Sequence, residues 1–351
     1  MASITNIPDS QLVAYVENPG PEAHFVLSQA AVPELALNQV LVKLQVAGIC
    51  HSDLNRVYGK LPLSERIVGH EGVGIVVKVG PNSSLDLLGK RVGLGWLSEA
   101  CSECEICEED YTSCPNQKNL GRNLPGTFQQ YVAVSSTFVH MLPDELDASL
   151  ATPLLCGKSG VTMLSAIRKA NLKPNGWLLL PGAGGGLGHL GLQIAKAEGY
   201  RVIAVDTGDD KKAACIRFGA THFLDFKKDD VVKEVLGLTN NLGVNATICT
   251  AGSLGAYRQA ADCVRHTGTL VCIGIHPGHL PASPFELVRR GLRVVGSAVG
   301  TTQDMQHLFQ LAIQGKVTSL VKVVPFAEID SVAKNVQNGL IAGRAVMTIP
   351  Q

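Results

Sequence analysis

The chain has 351 residues, of which 46% are hydrophobic and 5% aromatic, with 37 glycines and a formal net charge of zero. This length exceeds one ordinary core and predicts two domains of an α/β protein. The balanced charge argues against nucleic acid or an anionic membrane surface as a partner. No apolar run reaches the ~18–20 residues that span a bilayer, and residues 1–20 lack the basic and apolar parts of a secretory signal. We therefore expect a soluble, cytoplasmic protein.

Short alternating runs predict that the first part of the chain is mostly β structure. Residues 40–46 alternate side chains with the period of a strand. The next segment opens a helix with Ser52 and Asp53 as N-cap candidates. Residues 97–126 are polar and aperiodic, so this loop needs something other than a core to hold it. Further strands are predicted at 73–79, 91–96 and 126–134.

From about residue 156 onward, strands and helices alternate, which predicts a parallel, doubly wound sheet. The predicted strands are 177–180, 201–206, 222–224, 244–250, 269–275 and 292–297. The predicted helices are 159–170, 187–198, 211–218, 229–236, 255–264 and 303–314. We therefore predict a mostly β domain at 1–156, a nucleotide-binding domain at 157–297, and a segment at 298–351 that rejoins the first domain.

A glycine turn between a predicted strand and a predicted helix indicates a dinucleotide site. Glycines let the backbone approach a pyrophosphate, and the helix N-terminus attracts its negative charge. The spacing departs from a strict GxGxxG, and a purely structural turn is the alternative. Asp206 ends the next strand, where an acidic residue binds both ribose hydroxyls and favours NAD over NADP. The turn contains Gly182, Gly184, Gly185, Gly186 and Gly188.

Four cysteines in the polar loop predict a structural metal site. They are Cys101, Cys104, Cys107 and Cys114. Four thiolates complete a tetrahedral zinc shell, and such binding contributes on the order of 10 kcal/mol, enough to order a loop without a core. The alternative is an iron–sulfur or redox cluster. A disulfide framework is not expected in a long chain of cytoplasmic character.

A second potential zinc site is scattered along the chain. Cys50, His70 and Cys156 offer two thiolates and one imidazole, a set that keeps a fourth position open for water or substrate. Around His70, the pattern Gly-His-Glu-x2-Gly-x5-Gly-x2-Ser at 69–83 matches the signature of the zinc-containing alcohol dehydrogenases. The resemblance covers most of the chain and is greatest to the fungal and yeast branch. It includes residues 48–54, the four cysteines, 126–131, 155–157, the glycine turn, 195–202, 295–297 and 343–344.

This resemblance implies a GroES-like catalytic domain, a Rossmann NAD-binding domain, and two zinc ions per chain. The implied reaction is hydride transfer between NAD(H) and a primary or secondary alcohol or its aldehyde or ketone. The implied ligands of the catalytic zinc are Cys50, His70, Cys156 and, occasionally, Glu71. Asp53 would orient the histidine, and Ser52 would accept the alcohol proton. The implied cofactor contacts are His51, Gly182, Gly185, Gly186, Leu187, Gly188, Asp206, Lys211, Ile275 and Arg344.

The chain departs from the family pattern near the predicted proton route and the nicotinamide. Asn55 occupies the position of the histidine that ends the family's proton relay, so the last step must go to water or to another group. Gly160 replaces a hydroxyl residue, and Lys158 replaces a small or apolar one. The last gap of the cysteine quartet is one residue shorter than in the yeast enzymes.

The predicted substrate pocket also differs from that of the yeast enzymes. Trp96 matches one of the two tryptophans that narrow the pocket to ethanol, but Leu61 replaces the other, with Tyr58 shortly before it. A leucine leaves more room than an indole. We therefore expect alcohols or aldehydes larger than ethanol, including aromatic or secondary-metabolite alcohols.

Two other functions remain open from the sequence. The chain could be a zinc-free reductase of a C=C bond in the same superfamily, although such relatives lack the Cys50, His70 and Cys156 ligands. It could also be a metal-buffering or nucleotide-sensing protein that has lost catalysis. Relatives form dimers or tetramers through the nucleotide domain, and 292–297 is a candidate edge strand for a homodimer or homotetramer.

Overall fold

The structure is a computed structural model that describes residues 2–3, 6–155, 159–341 and 343–351. The chain forms two compact units. The first comprises Met1–Lys158, Thr301–Phe309 and Ser319–Gln351, and the second comprises Ser159–Gly300 and Gln310–Thr318. The short return of 310–318 to the second unit is a detail that the sequence does not indicate.

The described residues form helices and strands in the following order. The strands are β1 (Ala2–Ser3), β2 (Ser10–Glu17), β3 (His24–Ala31), β4 (Gln39–Ile49), β5 (Gly72–Val79), β6 (Arg91–Leu94), β7 (Leu97–Glu99), β8 (Lys118–Asn119), β9 (Tyr131–Ser135), β10 (His140–Met141), β11 (Trp177–Pro181), β12 (Arg201–Asp206), β13 (His222–Asp225), β14 (Val244–Cys249), β15 (Val264–Cys272), β16 (Arg293–Gly296), β17 (Val321–Pro325) and β18 (Arg344–Thr348). The helices are α1 (His51–Val57), α2 (Glu105–Asp110), α3 (Ala148–Leu155), α4 (Gly160–Ala170), α5 (Gly188–Ala197), α6 (Asp209–Arg217), α7 (Val231–Leu238), α8 (Leu254–Cys263), α9 (Pro284–Arg290), α10 (Thr302–Ile313) and α11 (Ile329–Gln337). Short 3₁₀ helices lie at Leu85–Leu87, Tyr111–Ser113 and Phe326–Glu328.

The first unit is built on a mixed sheet in the order β10-β6-β5-β4-β18-β17, to which β1 and β9 add. Strand β18 pairs antiparallel with β4, so residues 344–348 extend the sheet that is formed by strands from the first part of the chain. The long strand β4 alternates side chains into a core that includes Val42, Leu44 and Phe128. Two-stranded sheets, β2-β3 and β7-β8, complete the described strands of this unit.

The second unit is a parallel sheet in the order β13-β12-β11-β14-β15-β16. Counted within the unit, this is the strand order 3-2-1-4-5-6 of a dinucleotide-binding fold. The strands β11, β12 and β14 bury nearly every side chain, which explains the continuous apolar runs within β11 and β12. The order reverses between β11 and β14, where ligands bind in folds of this kind.

Within the described residues, no single helix is long and apolar enough to cross a membrane. The consecutive helices α3 and α4 pass that test only when they are taken together. Both bury most of their apolar side chains inside the protein.

The predicted fold class is confirmed: a mostly β unit and a parallel doubly wound unit. The sequence missed the β2-β3 hairpin and the helices α3, α9 and α11, and it predicted a loop where the short helix α2 lies. The predicted N-cap at Ser52 or Asp53 is wrong. Helix α1 begins at His51, with Cys50 in the cap position, two residues before Ser52. Both predicted cap side chains instead turn inward to the cluster described below.

Candidate functional site

A buried group of metal-ligating side chains lies in the first unit. Cys50 lies between the end of β4 and the start of α1. His70 and Glu71 lie in the turn that leads into β5. The ligand atoms of these three residues lie within 4.8 Å of one another, and all three side chains are buried. Gly69 makes the turn possible because its φ of 94° is disfavoured for residues with a Cβ.

A carboxylate fixes the orientation of the imidazole. His70 Nδ1 lies 2.7 Å from Asp53 Oδ1, and Asp53 is itself buried on the first turn of α1. Burial by itself would lower the pKa of His70, but the Asp53 carboxylate and the Cys50 sulfur outweigh it and raise the pKa to about 10. With Nδ1 held by Asp53, Nε2 is the nitrogen directed at the other donors. This is the carboxylate–histidine arrangement that orients metal ligands.

Arg344 completes the cluster from the far end of the sequence. Its guanidinium pairs with Glu71 Oε1, and Nη1 lies 3.7 Å from Cys50 Sγ. Glu71 Oε1 is in turn 3.8 Å from His70 Nε2. Gly48 leaves room for this carboxylate, because a Cβ there would collide with the Glu71 side chain. The implied contact of Arg344 with the cofactor stays a prediction, and its ion pair with Glu71 is an additional interaction.

This donor set fits zinc. A thiolate, an imidazole and a carboxylate are all zinc ligands, with bonds of about 2.0–2.3 Å. Donors separated by less than 4.8 Å can therefore share one ion. Cys156, the remaining predicted ligand, lies outside the described residues, as does Lys158.

The four loop cysteines converge as the sequence predicts for a structural site. Their sulfurs lie within 4.8 Å of one another. Cys101 Sγ is 3.8 Å from Cys107 Sγ and 3.5 Å from Cys114 Sγ, close to the ~3.8 Å edge of a tetrahedron with 2.3 Å Zn–S bonds. Backbone amides of Glu103 and Cys104, and the Cys104 thiol, lower the pKa of Cys101 to about 6.

The glycine turn of the second unit forms one wall of a cavity of about 610 Å³. Gly182 has a φ of 83°, which closes the turn after β11. Gly188 begins α5 so close to the carbonyls of Gly182 and Ala183 that a Cβ would collide with them. The residues that lead into the N-terminus of α5 line a space large enough for a nucleotide. The lining also includes Gly185, Gly186, Leu187, Asp206, Lys211, Phe226 and Thr250.

Asp206 organises the far end of this cavity. Its Oδ2 accepts a hydrogen bond from the Gly184 amide at 2.9 Å, and its Oδ1 receives Lys211 Nζ at 2.8 Å. A carboxylate at the end of β12 is positioned to accept hydrogen bonds from two ribose hydroxyls. Ile275, a predicted cofactor contact, is 56% exposed after β15 and does not line the cavity. His51 is also exposed, at the start of α1.

The predicted pocket residues separate into two places. The ring of Trp96 meets the His70 imidazole edge-on, with centroids 5.2 Å apart, and Leu61 is half-buried after α1, its amide bonded to the Asn55 carbonyl. Tyr58 instead lines a groove with His24, Lys334 and other residues that include neither Trp96 nor the zinc donors.

Sequence reasoning missed Arg56, whose guanidinium lies 5.5 Å from the centre of the Trp96 ring. The available signal was an arginine on the helix that follows Cys50.

Comparisons with known proteins match both parts of the chain to dehydrogenase families. Residues 36–144 match the model of the alcohol dehydrogenase GroES-like domain, and 186–314 match that of the zinc-binding dehydrogenases. An alcohol dehydrogenase of Schizosaccharomyces pombe is 37% identical over 98% of this chain and 99% of its own length. Alcohol dehydrogenase 1 of Emericella nidulans is 35% identical over 99% of this chain and 100% of its own.

Among solved structures, the alcohol dehydrogenase of the archaeon Aeropyrum pernix superposes with a TM-score of 0.86 at 28% identity, covering 97% of this chain and 100% of that one. The acetophenone reductase of Geotrichum candidum, solved in complex with NAD, has the same TM-score at 24% identity, covering 98% of each chain, and supports the fold.

The fold and the donor clusters define a two-domain zinc dehydrogenase. The chain belongs to the zinc-dependent, medium-chain alcohol dehydrogenase family. It is accordingly an oxidoreductase whose cofactors are zinc and NAD. The predicted family, enzyme class and cofactors are confirmed.

Proposed function

We propose that the protein interconverts alcohols larger than ethanol with their aldehydes or ketones, using NAD(H). The observation that carries the proposal is the buried Cys50–His70–Glu71 cluster, oriented by Asp53, in a member of this family. Zinc bound by these residues and Cys156 supplies Lewis-acid catalysis, which favours loss of the alcohol's hydroxyl proton.

The residues of the chain hold and move protons around this cluster. Asp53 accepts a hydrogen bond from His70 Nδ1–H and so reserves Nε2 for metal binding. Ser52 is 8% exposed, and its hydroxyl donates to Cys50 Sγ at 3.1 Å, which supports its role as first acceptor of the substrate proton. Asn55 has no titratable proton, so the route ends in water or another group. The ion pair with Arg344 balances the charge of Glu71 and holds this carboxylate beside Cys50 and His70.

The cavity of the second unit supports binding of the dinucleotide. The α5 N-terminus and the glycine turn would hold the pyrophosphate, and Asp206 with Lys211 would hold the adenosine ribose. When bound, NAD+ accepts the hydride of the alcohol. The negative charge of Asp206 disfavours a ribose 2′-phosphate, so we propose NAD rather than NADP.

The proposed preference for larger alcohols depends on Leu61. Trp96 forms one wall beside His70, and a leucine fills less space than the tryptophan of the yeast enzymes. One extra methylene in an apolar pocket is worth about 1–3 kcal/mol, so the preference should be measurable.

The test is NAD-linked oxidation of ethanol, hexanol and benzyl alcohol, with zinc content measured per chain. We expect turnover that a zinc chelator abolishes and catalytic efficiency that rises with alcohol size. Leu61→Trp should restore a preference for ethanol, whereas Leu37→Trp, at an exposed site, serves as the control. Equal or better efficiency on ethanol would contradict the size preference. Zinc-loaded, NAD-binding protein without any turnover would contradict the reaction.

We further propose a homodimer or homotetramer that assembles through the second unit and works in the cytoplasm. Strand β16 is an end strand of its sheet, and the neighbouring helix α9 exposes Phe285 by 72% and Val288 by 84%. Unpaired edges and exposed apolar side chains favour association. None of the nine described cysteines forms a disulfide with another described cysteine, which suits a reducing compartment.

A further inference from the structure

A cationic group lies one aromatic ring away from the imidazole ligand. Arg56 belongs to α1 and is half-buried, with its Cζ 5.5 Å from the centre of the Trp96 ring. The same ring meets His70 edge-on at 5.2 Å. The guanidinium is therefore stacked on a wall of the proposed substrate pocket rather than extended into solvent.

A second arginine, Arg122, lies in the same region of the first unit. It belongs to the loop before β9, and its backbone carbonyl accepts a hydrogen bond from Ser64, two residues after the Pro62 carbonyl that accepts from Arg56 Nη1. Partial burial and then the positive charge of Arg122 lower the pKa of Arg56, although a guanidinium stays protonated at physiological pH. Two cations at short range repel each other, and an anion between them would relieve that repulsion.

Neutral oxygens hold both guanidinium groups. Arg56 Nη1 donates to the Pro62 carbonyl at 2.8 Å, and Arg122 Nη1 donates to Asn119 Oδ1 at 3.3 Å. Among the described residues, neither guanidinium has a carboxylate within ion-pair distance. Asp53, whose charge raises the pKa of Arg56, has one carboxylate oxygen 2.7 Å from His70 Nδ1. The pair is thus anchored but not neutralised.

We propose that Arg56 and Arg122 select substrates that carry a carboxylate at the end opposite to the alcohol or aldehyde group. This inference rests on the proposed function and narrows its substrate class. A guanidinium binds a carboxylate through paired, charge-assisted hydrogen bonds. Arg56 is then a specificity-determining residue, and Trp96 supports an aliphatic or aromatic body between the two ends.

The first test compares two substrates that differ in charge but not in shape, 4-(hydroxymethyl)benzoate and 4-(hydroxymethyl)benzamide, with the zinc-loaded full chain. We expect kcat/KM about tenfold or more in favour of the acid. Arg56→Gln and Arg122→Gln should remove most of this preference by raising KM for the acid alone. Arg66→Gln, an exposed arginine of the same region, is the matched control and should retain it.

Three results would overturn the inference while leaving the reaction intact. The first is equal efficiency on the acid and the amide. The second is an equal loss on both substrates in Arg56→Gln, which would indicate that the arginine only supports Trp96. The third is a changed KM for NAD alone, which would assign the cation to the cofactor.

The second test needs no turnover. The chain has two tryptophans, so Trp177→Phe leaves Trp96, beside Arg56, as the only indole reporter. Benzoate should quench its fluorescence with a dissociation constant at least fivefold below that of benzamide, and Arg56→Gln should abolish the difference. Equal binding would overturn the inference. A protein that distinguishes these ligands yet oxidises no alcohol would keep the anion site and lose the proposed reaction.

Discussion

Asp53 and His70 form a buried pair in which the carboxylate fixes one ring nitrogen and leaves the other for a metal. We predict that Asp53→Asn weakens zinc binding at this site by about 10- to 100-fold, the usual effect of losing such a supporting carboxylate. Asparagine has nearly the same volume, so the fold should persist. Chelator competition followed by metal analysis measures the change.

Asp330→Asn is a matched control for that variant. Asp330 also accepts a backbone hydrogen bond, from Phe25, and forms an ion pair, with Lys334. Its loss should alter stability without changing zinc affinity. Unchanged zinc retention in Asp53→Asn would show that the carboxylate does not support the metal.

Asn55 allows a test of the proton route. Asn55→His introduces an imidazole, whose ordinary pKa is about 6.5, at a half-buried position of α1. If the family relay is restored, the rate of alcohol oxidation should gain a dependence on the ionisation of this histidine, rising as pH increases through its pKa because only the neutral ring accepts the proton. Asn55→Gln is the control. A pH–rate profile identical to that of the wild type would exclude a role for this position.

The individual donors were accessible to sequence analysis, but their partners were less so. His70 stands in a recognisable pattern, and Asp53 precedes it by 17 positions. The ion pair between Glu71 and Arg344 joins residues 273 positions apart, through the pairing of β18 with β4. No local pattern encodes such a pairing. The stacking of Arg56 on Trp96 depends in the same way on tertiary packing.

At the scale of elements, the cysteine loop is the part that depends most on a metal. Between β7 and β8 the regular structure is limited to the short helix α2 and a 3₁₀ turn. We predict that Cys114→Ser lowers the zinc content from two ions to one per chain and the melting temperature by several degrees, because zinc binding contributes on the order of 10 kcal/mol to such a loop.

Cys215→Ser controls for the loss of a buried thiol in Cys114→Ser. Cys215 is buried in α6, away from the four cysteines of the loop. It should retain two zinc ions even if its stability falls. A Cys114→Ser protein that keeps both ions would contradict the structural zinc site.

The elements predicted best were those whose patterns are complete within a few residues. The buried strands β11 and β12 contain uninterrupted apolar runs, at 178–180 and 202–205. Helix α3 was missed because it contains Pro153, and helix α9 is a short segment of seven residues. Helix α11 has apolar residues at 329, 332, 333 and 336, which is the spacing of an amphipathic helix, so the sequence did contain a signal for it. The β2-β3 hairpin depends on cross-strand pairing that a single strand does not reveal.

At the scale of the whole molecule, β16 is the end strand of a six-stranded parallel sheet and presents mostly exposed residues. The adjacent helix α9 is firmly held, with a Ser283–Glu286 capping box at its start and Gly291 at its end. Its exposed Phe285 and Val288 are therefore ordered apolar surface. A sheet edge beside ordered apolar side chains is suited to pairing with a second copy.

We predict that the wild-type protein is at least dimeric in sedimentation velocity and that Val288→Lys shifts it toward monomer. A charge in the centre of an apolar contact must be desolvated without a partner, which costs several kcal/mol. Leu340→Lys is the matched control, since Leu340 is 71% exposed in the first unit, and it should leave the mass unchanged. A monomeric wild type would contradict the proposed assembly. A Val288→Lys protein with the wild-type mass would show that α9 does not form the contact between copies.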